Sequence, residues 1–444
     1  MAGTKITRSS STSSEKKITI SFWVKLNSAG ERSCVGNTSD GSNWAMFYFN
    51  GNKQLQFAAY VGGSYVMRYT TTRVFKDTSA WYHCVATADV SLSSPEVKVY
   101  VNGEEQTDLA YNVTPSQNAD IGWFRNWNFE IGVQFGSSHY LDGILADLYY
   151  VQGYIHPAST FGETDSVTGE WKPKVNPTIN YGGNGGNSFH MKFENSANMD
   201  LDSGSNNLSF TTTSQLTQTQ DNPSNNFCTL TDNYNQTNSQ GVVLNNGSNV
   251  AYYASNSNRM AMGSMGMTSG KYYFEAKPFS TGSFTSIGII DTTWDDINGA
   301  SGYGLHDGTG ASGFSFASDG SGKYNNNTQT SWGGSYAAND IVGVAVDCDN
   351  SKIYFAINGT WQESGDPTSG STGTGSAFNL VSGATYLPAV GVKNGAQVGF
   401  NFGNGQFAGS QLISSEGTNA SGNGKFEYDV PAGYTALSTK GLNK

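Results

Sequence analysis

From residue 17 the chain alternates apolar and polar positions. KITISFWVK places Ile18, Ile20, Phe22 and Val24 on one face and Trp23 on the other, the period-2 signature of a half-buried strand. Similar segments follow over 44–49, 55–60, 65–69, 81–87, 97–101, 130–133 and 141–151, most of them separated by Gly, Asn or Asp. After VKVYV comes Asn102-Gly103, a pair that tolerates the positive φ a type I′ hairpin turn demands. The pattern resumes over 271–276, 286–290, 313–317, 341–347, 352–357, 386–392 and 397–402, and no stretch carries a long helical period. The fold class expected is all-β: two antiparallel β-sandwich domains in tandem joined by an irregular connector.

Between the two runs, over 162–240, the texture turns polar and rich in Gly, Asn, Ser and Thr, as in INYGGNGGN and TTTSQLTQTQDNPSNN. This is the expected connector, between a first domain over 1–161 and a second over 241–444. Trp171, Phe189, Met191 and Phe193 punctuate it and could lie across a domain surface, so short strands are expected within it. The halves share one element: WYHCVATAD then VKVYVNG in the first, IVGVAVDCD then KIYFAING in the second. Each reads as strand, polar turn, strand and Asn-Gly turn, which suggests related architecture without proving duplication.

Composition narrows the function classes. At 444 residues the chain exceeds one core, and its 24 Phe, 24 Tyr and 9 Trp exceed what a disordered chain carries. A formal charge of −11 with no basic cluster argues against nucleic-acid binding. The start MAGTKITRSSSTSSEKK has no apolar core segment and no run long enough for a membrane span occurs, so neither a signal peptide nor membrane insertion is expected. Cys34, Cys84, Cys228 and Cys348 lie far apart without a CxxC pair and are expected as thiols, with Cys34 to Cys84 the one bridge to check.

Two resemblances emerge from these segments. ISFWVKL, WYHCVATAD, VKVYVNG and DGILADLYYVQGY resemble the laminin-G-like, concanavalin-A-like lectin/glucanase superfamily, which implies a jelly-roll sandwich. GKYYFEAK, GFSFASDG, DIVGVAVDCDNSKIYFAINGTW and YLPAVGV resemble a SPRY domain. The join, DGILADLYYVQGYIHPASTFGETDSVTGEWKPK followed by a Gly/Asn segment and DNPSNNFCTL, is similar to the connector of bacteriophage virion proteins that pair these folds. That resemblance implies a virion structural protein at the particle surface, made in the host cytoplasm. Its partners would be other virion proteins, host-surface carbohydrate and further copies of itself. Capsid decoration or an adaptor role without a ligand is the alternative, and a polysaccharide-degrading glucanase a weaker one.

Catalytic patterns are thin. Retaining glucanases of this superfamily carry E-x-D-x-x-E on one strand. Here Glu163, Asp165 and Glu170 miss that spacing in a segment better read as a turn. Asp347, Asp349 and Asn350 read as a hairpin turn rather than a calcium loop. No catalytic residue, metal or cofactor is therefore expected, and the chain is read as a non-enzyme. Ligand contacts are sought among aromatic and amide groups. In IGWFRNWNFE these are Trp123, Arg125, Asn126 and Trp127, although a core strand with period-2 alternation is the preferred reading there. In the second half Trp294, Tyr303, His306, Tyr324 and Trp332 are candidates by position, each with a buried-aromatic alternative.

Overall fold

The computed structural model describes residues 4–27, 31–182, 186–214, 216–231, 242–245, 247–292, 305, 313–318, 320, 322–325, 328–409 and 411–443. The chain divides into two compact units, Met1–Gln218 and Thr219–Lys444.

The first unit is a sandwich of antiparallel sheets. The larger has eight strands in the order Leu109–Val113, Ser64–Val74, Gln54–Val61, Asn43–Phe49, Arg32–Asp40, Asn128–Ile131, Lys5–Ser9 and Thr211–Thr213. The smaller runs Phe189–Met191, Gly143–Gln152, Lys17–Leu26, Trp81–Asp89, Glu96–Val101 and Glu104–Glu105. The alternation along 17–25 has the expected consequence: Ile18, Ile20, Phe22 and Val24 enter the core between the sheets. There Phe22 meets Phe47 of the facing sheet edge-on, with centroids 5.1 Å apart. Cys34 and Cys84 sit in the same core as free thiols, and burial pushes both thiol ionisations upward.

The opposite face of Lys17–Leu26 is also buried, which the polar residues Thr19 and Ser21 did not suggest. The cause is the segment expected as connector. Trp171, Ile179 and Tyr181, together with Phe161 at the end of the expected first domain, pack on Val85, Tyr149 and Val151, forming a second apolar cluster on the outside of the six-stranded sheet. Phe189–Met191 adds an edge strand to that sheet, and Thr211–Thr213 pairs with Lys5–Ser9 in the other. Within the cluster the His83 ring stacks between Trp23, 4.6 Å away, and Trp171, 6.0 Å away. The Trp171 indole N–H donates to His83 Nδ1 at 3.0 Å. Because indole is a donor only, the imidazole proton belongs on Nε2, 2.9 Å from Ser21 Oγ. Burial drives the His83 pKa down to about 3, so the ring is neutral. Trp171 can lie this close because Gly103 and Gly162 have no side chains; a Cβ on either would stand 2.6 Å or 2.5 Å from its ring.

The second unit is also a two-sheet sandwich. Seven strands run Leu230–Thr231, Arg259–Gly263, Tyr386–Lys393, Phe284–Asp291, Gly313–Ala317, Lys323–Asn325 and Thr328–Thr330. Opposite lies a nine-stranded sheet centred on Ala396–Asn401, Lys271–Ser280, Val342–Asp347 and Lys352–Ile357. Phe274, Phe316, Phe355, Val390 and Phe400 are among the side chains buried between them. The segment after residue 413 returns over the outside of the nine-stranded sheet, where Phe426, Val430 and Tyr434 cover Tyr273 and Tyr354. A fully buried carboxylate fastens it: Glu275 accepts the backbone N–H groups of Glu427 and Tyr428, both at 2.9 Å, with Asn401 Nδ2 at 3.1 Å and the Tyr273 hydroxyl at 3.2 Å.

The shared element of the two halves folds alike. Asn102-Gly103 and Asn358-Gly359 both have positive φ at both positions, as a type I′ turn requires. Each asparagine side-chain oxygen also accepts a neighbouring strand's N–H, from His83 at 2.8 Å and from Ile341 at 2.9 Å. Glu163 and Asp165 flank Lys172 in the hairpin Gly162–Thr164/Trp171–Pro173, at 4.0 Å and 2.8 Å. Asp347 and Asp349 brace the turn after Val342–Asp347 by accepting the N–H groups of Asn350 and Gly270.

Candidate functional site

In antiparallel strands, directly paired residues share a face. The register of the eight-stranded sheet therefore aligns rows of side chains on its outer surface. One row passes through Thr211, Thr7, Glu130, Gly36, Met46, Ala58, Arg68 and Val113. Its neighbour passes through Ser9, Asn128, Thr38, Trp44, Tyr60 and Tyr65. One end of this face is hydroxyl- and amide-rich and the other aromatic.

The polar end forms a cup of about 380 Å³ lined by Lys5, Thr7, Asn128, Glu130, Phe135 and Thr211 among others. That volume suits one or two sugar rings and lies at the small end of ligand pockets. Glu130 forms its floor, 3% exposed, and accepts the Thr38 hydroxyl at 2.8 Å. Burial raises its pKa, opposed by Thr38, by Lys5 and by the N–H groups of Gly136 and Phe135. The same carboxylate thus holds the turn carrying Phe135. Lys5 Nζ completes the clamp at 2.5 Å from the Gly136 carbonyl. Phe135 has φ 50°, a conformation costly for a bulky side chain, and this strain brings its ring into contact with the aromatic end. The side chain of Arg8, although its residue borders the cup, turns to the other side of the strand, over Phe210 and onto Asn187.

At the aromatic end Tyr60 stacks on Trp44 with centroids 5.5 Å apart, and Tyr65 stands edge-on to both, 4.9 Å from Tyr60 and 5.7 Å from Trp44. Trp44 is nearly covered, whereas Tyr60 and Tyr65 are half-buried and keep part of their surface in solvent. Flat apolar rings beside a cup of hydroxyl, amide and ammonium groups match the two surfaces of a pyranose, one of C–H groups and one of hydroxyls.

The residues expected from sequence are distributed otherwise. Trp123 is fully enclosed in the first core, stacked on Phe57 at 5.7 Å and 6.1 Å from Tyr150, so it touches no ligand. The alternation expected through 123–127 is absent too: the segment is a bend and the strand begins at Asn128. Gly122, at φ 73°, breaks the strand, and a Cβ there would stand 2.8 Å from the Trp127 ring. Arg125 lies over Trp127 and is paired with Asp120, forming a small surface group, and Asn126 beside them is exposed. In the second unit Trp332 packs edge-on to Phe316 and Phe355, and Tyr324 edge-on to Phe284, so both are partly committed to packing. Trp294, Tyr303 and His306 lie outside the described residues. The cup residues Lys5, Asn128 and Glu130 escaped sequence reading because they meet only through strand register; the polar-apolar alternation in NFEI is the one signal that placed Glu130 outward.

Comparisons with known proteins agree with this architecture. Residues 2–157 match the Laminin_G_3 family, described as concanavalin A-like lectin/glucanases superfamily. Residues 271–405 match the SPRY domain family. The chain therefore carries a concanavalin-A-like domain followed by a SPRY domain, two β-sandwiches in tandem. Solved structures similar to it include the SPRY domain of human HERC1, at 17% identity over 36% of this chain and 91% of that one, with a TM-score of 0.28. Another human SPRY domain gives 15% identity, 36% and 93% coverage and a TM-score of 0.26. Domain 4 of AbnA, an extracellular arabinanase of Geobacillus stearothermophilus solved with arabinotriose, gives 20% identity, 32% and 64% coverage and a TM-score of 0.26. No curated protein sequence matches the chain.

Proposed function

We propose that this protein is a non-enzymatic recognition component of a bacteriophage particle, whose concanavalin-A-like domain binds host-surface glycan on the outer face of its eight-stranded sheet. The observation that carries the reading is the juxtaposition, by register, of the polar cup of Lys5, Thr7, Asn128 and Glu130 with the aromatic group of Trp44, Tyr60, Tyr65 and Phe135. Domain architectures suited to carbohydrate or protein binding support it. Its virion setting rests on the similarity of the join over 142–230 to connectors in phage structural proteins. Particle symmetry would then make it a homo-oligomer. The non-enzymatic reading is favoured by the cup, where Glu130 is the one carboxylate among the described lining residues, while glycoside hydrolysis ordinarily needs two.

Isothermal titration against host envelope polysaccharide tests the binding half. Asn128→Ala and Tyr60→Ala are each expected to weaken binding about tenfold, the ~1.4 kcal/mol scale of one ring contact or charge-free hydrogen-bond set. Unaltered affinity in both variants would exclude this face. Immunogold labelling of purified particles tests the setting, and absence of label from intact virions would remove it.

A further inference from the structure

The aromatic end of the glycan face also holds a cation that its own domain does not neutralise. The Arg68 guanidinium lies 3.6 Å from the Tyr111 ring centroid and 4.7 Å from that of Tyr65. Tyr111, on the edge strand, is 48% exposed. Arg68 Nε donates to Gln56 Oε1 at 3.3 Å. That amide is itself fixed, since its oxygen accepts the Thr70 hydroxyl at 2.9 Å and its nitrogen donates to the Tyr48 hydroxyl at 2.7 Å. The plane of the guanidinium is set by the rings and its rotation by Gln56. Among the described residues no carboxylate comes within ion-pair distance of it, in a chain with 35 acidic and 24 basic residues.

A guanidinium so held, with its Nε occupied, keeps its terminal nitrogens for an incoming oxyanion, and a planar fork recognises such groups better than an ammonium does. Orienting it in advance removes part of the entropy cost of binding. Arg68 also shares a row with Glu130, separated by four strand spacings, or roughly 19 Å. That span exceeds a single sugar and suits a chain crossing the strands.

We propose that Arg68 reads an oxyanion on an elongated acidic glycan whose other end occupies the cup. This rests on the face being a glycan site and adds the ligand's charge and length. The oxyanion could be a uronate carboxylate or a backbone phosphate, and the test separates the two. Purified full-length protein is titrated with polygalacturonate, with the same polymer after carboxyl reduction, and with glycerol-phosphate teichoic acid. The expected result is at least tenfold tighter binding of one acidic polymer than of the reduced, neutral one, a preference that fades as salt is raised from 50 to about 500 mM. Arg68→Gln should abolish the preference and Arg68→Lys restore only part of it, with circular dichroism confirming that each variant is folded. Equal binding of neutral and acidic polymers by the wild-type protein overturns the role of Arg68 while leaving the glycan face standing. Binding of none overturns both.

Discussion

Replacing Trp171 by Phe tests how the polar middle segment is joined to the first domain. The change keeps a flat ring over Gly103 and Gly162 but deletes the indole N–H that donates to His83 Nδ1 at 3.0 Å. His83 has no solvent exposure, so its nitrogen would be left without that donor in a dry site. Leaving a buried acceptor unsatisfied costs about 1–3 kcal/mol. Trp171→Ala, which also removes the stack, should cost about 3 kcal/mol, the lower part of the range for core tryptophans because this ring is only half-buried. A two-domain chain does not unfold in one step, so the assay is hydrogen exchange by mass spectrometry on peptides covering 17–26 and 81–89. The expected outcome is opening about 5- to 150-fold more frequent in Trp171→Phe, with second-domain peptides unaltered. Wild-type protection in both Trp171 variants would show that the segment contributes nothing to the domain.

The same histidine gives a pH dependence. Its folded pKa of about 3 lies below the ordinary 6.5, so its contribution is complete above pH 6.5 and is lost as pH falls toward 3, by at most roughly 5 kcal/mol. Exchange of the 81–89 peptides from pH 7 down to 4, corrected for intrinsic rates, should show it, and His83→Phe should flatten the profile. Glu275 acts with the opposite sign. Burial raises its pKa from 4.5 to about 7, so the folded second domain holds a proton the unfolded chain has released. Its stability should therefore fall by up to about 3 kcal/mol as pH rises from 4.5 through 7. Urea melts followed by exchange in peptides over 413–436 measure this, and a flat profile would contradict it. Gly36→Val should crowd the aromatic group beside the cup, since even a Cβ there comes 3.1 Å from Met46 Cγ. The expected cost is about 1–3 kcal/mol of stability together with weaker glycan binding in titration.

What could be read from the sequence was local. Alternation in KITISFWVK placed four side chains in the core, and Asn102-Gly103 and Asn358-Gly359 announced their turns, because strand period and positive φ are properties of adjacent residues. The segment from 162 to 240 read as a connector because its few apolar residues are set in long polar stretches rich in Gly, Asn, Ser and Thr. Trp171 docks alone on the outside of the six-stranded sheet, whereas Phe189 and Met191 enter the core together from one short edge strand, and only the folded sheets show where. The Trp-rich run 121–127 misled for a related reason: one glycine conformation turned an apparent strand into a bend that sends Trp123 inward. The proposed binding face was illegible because Lys5, Thr38 and Glu130 are brought together by pairing between distant strands.

The most direct measurement is a hydrogen-exchange footprint of the full chain saturated with host envelope polysaccharide. Protection gained in peptides covering 5–9, 36–48, 60–70 and 128–136, with the rest of the chain unaltered, is the expected result. Protection confined to the second domain, or to the bend at 121–127, would place recognition elsewhere and refute the assignment of this face.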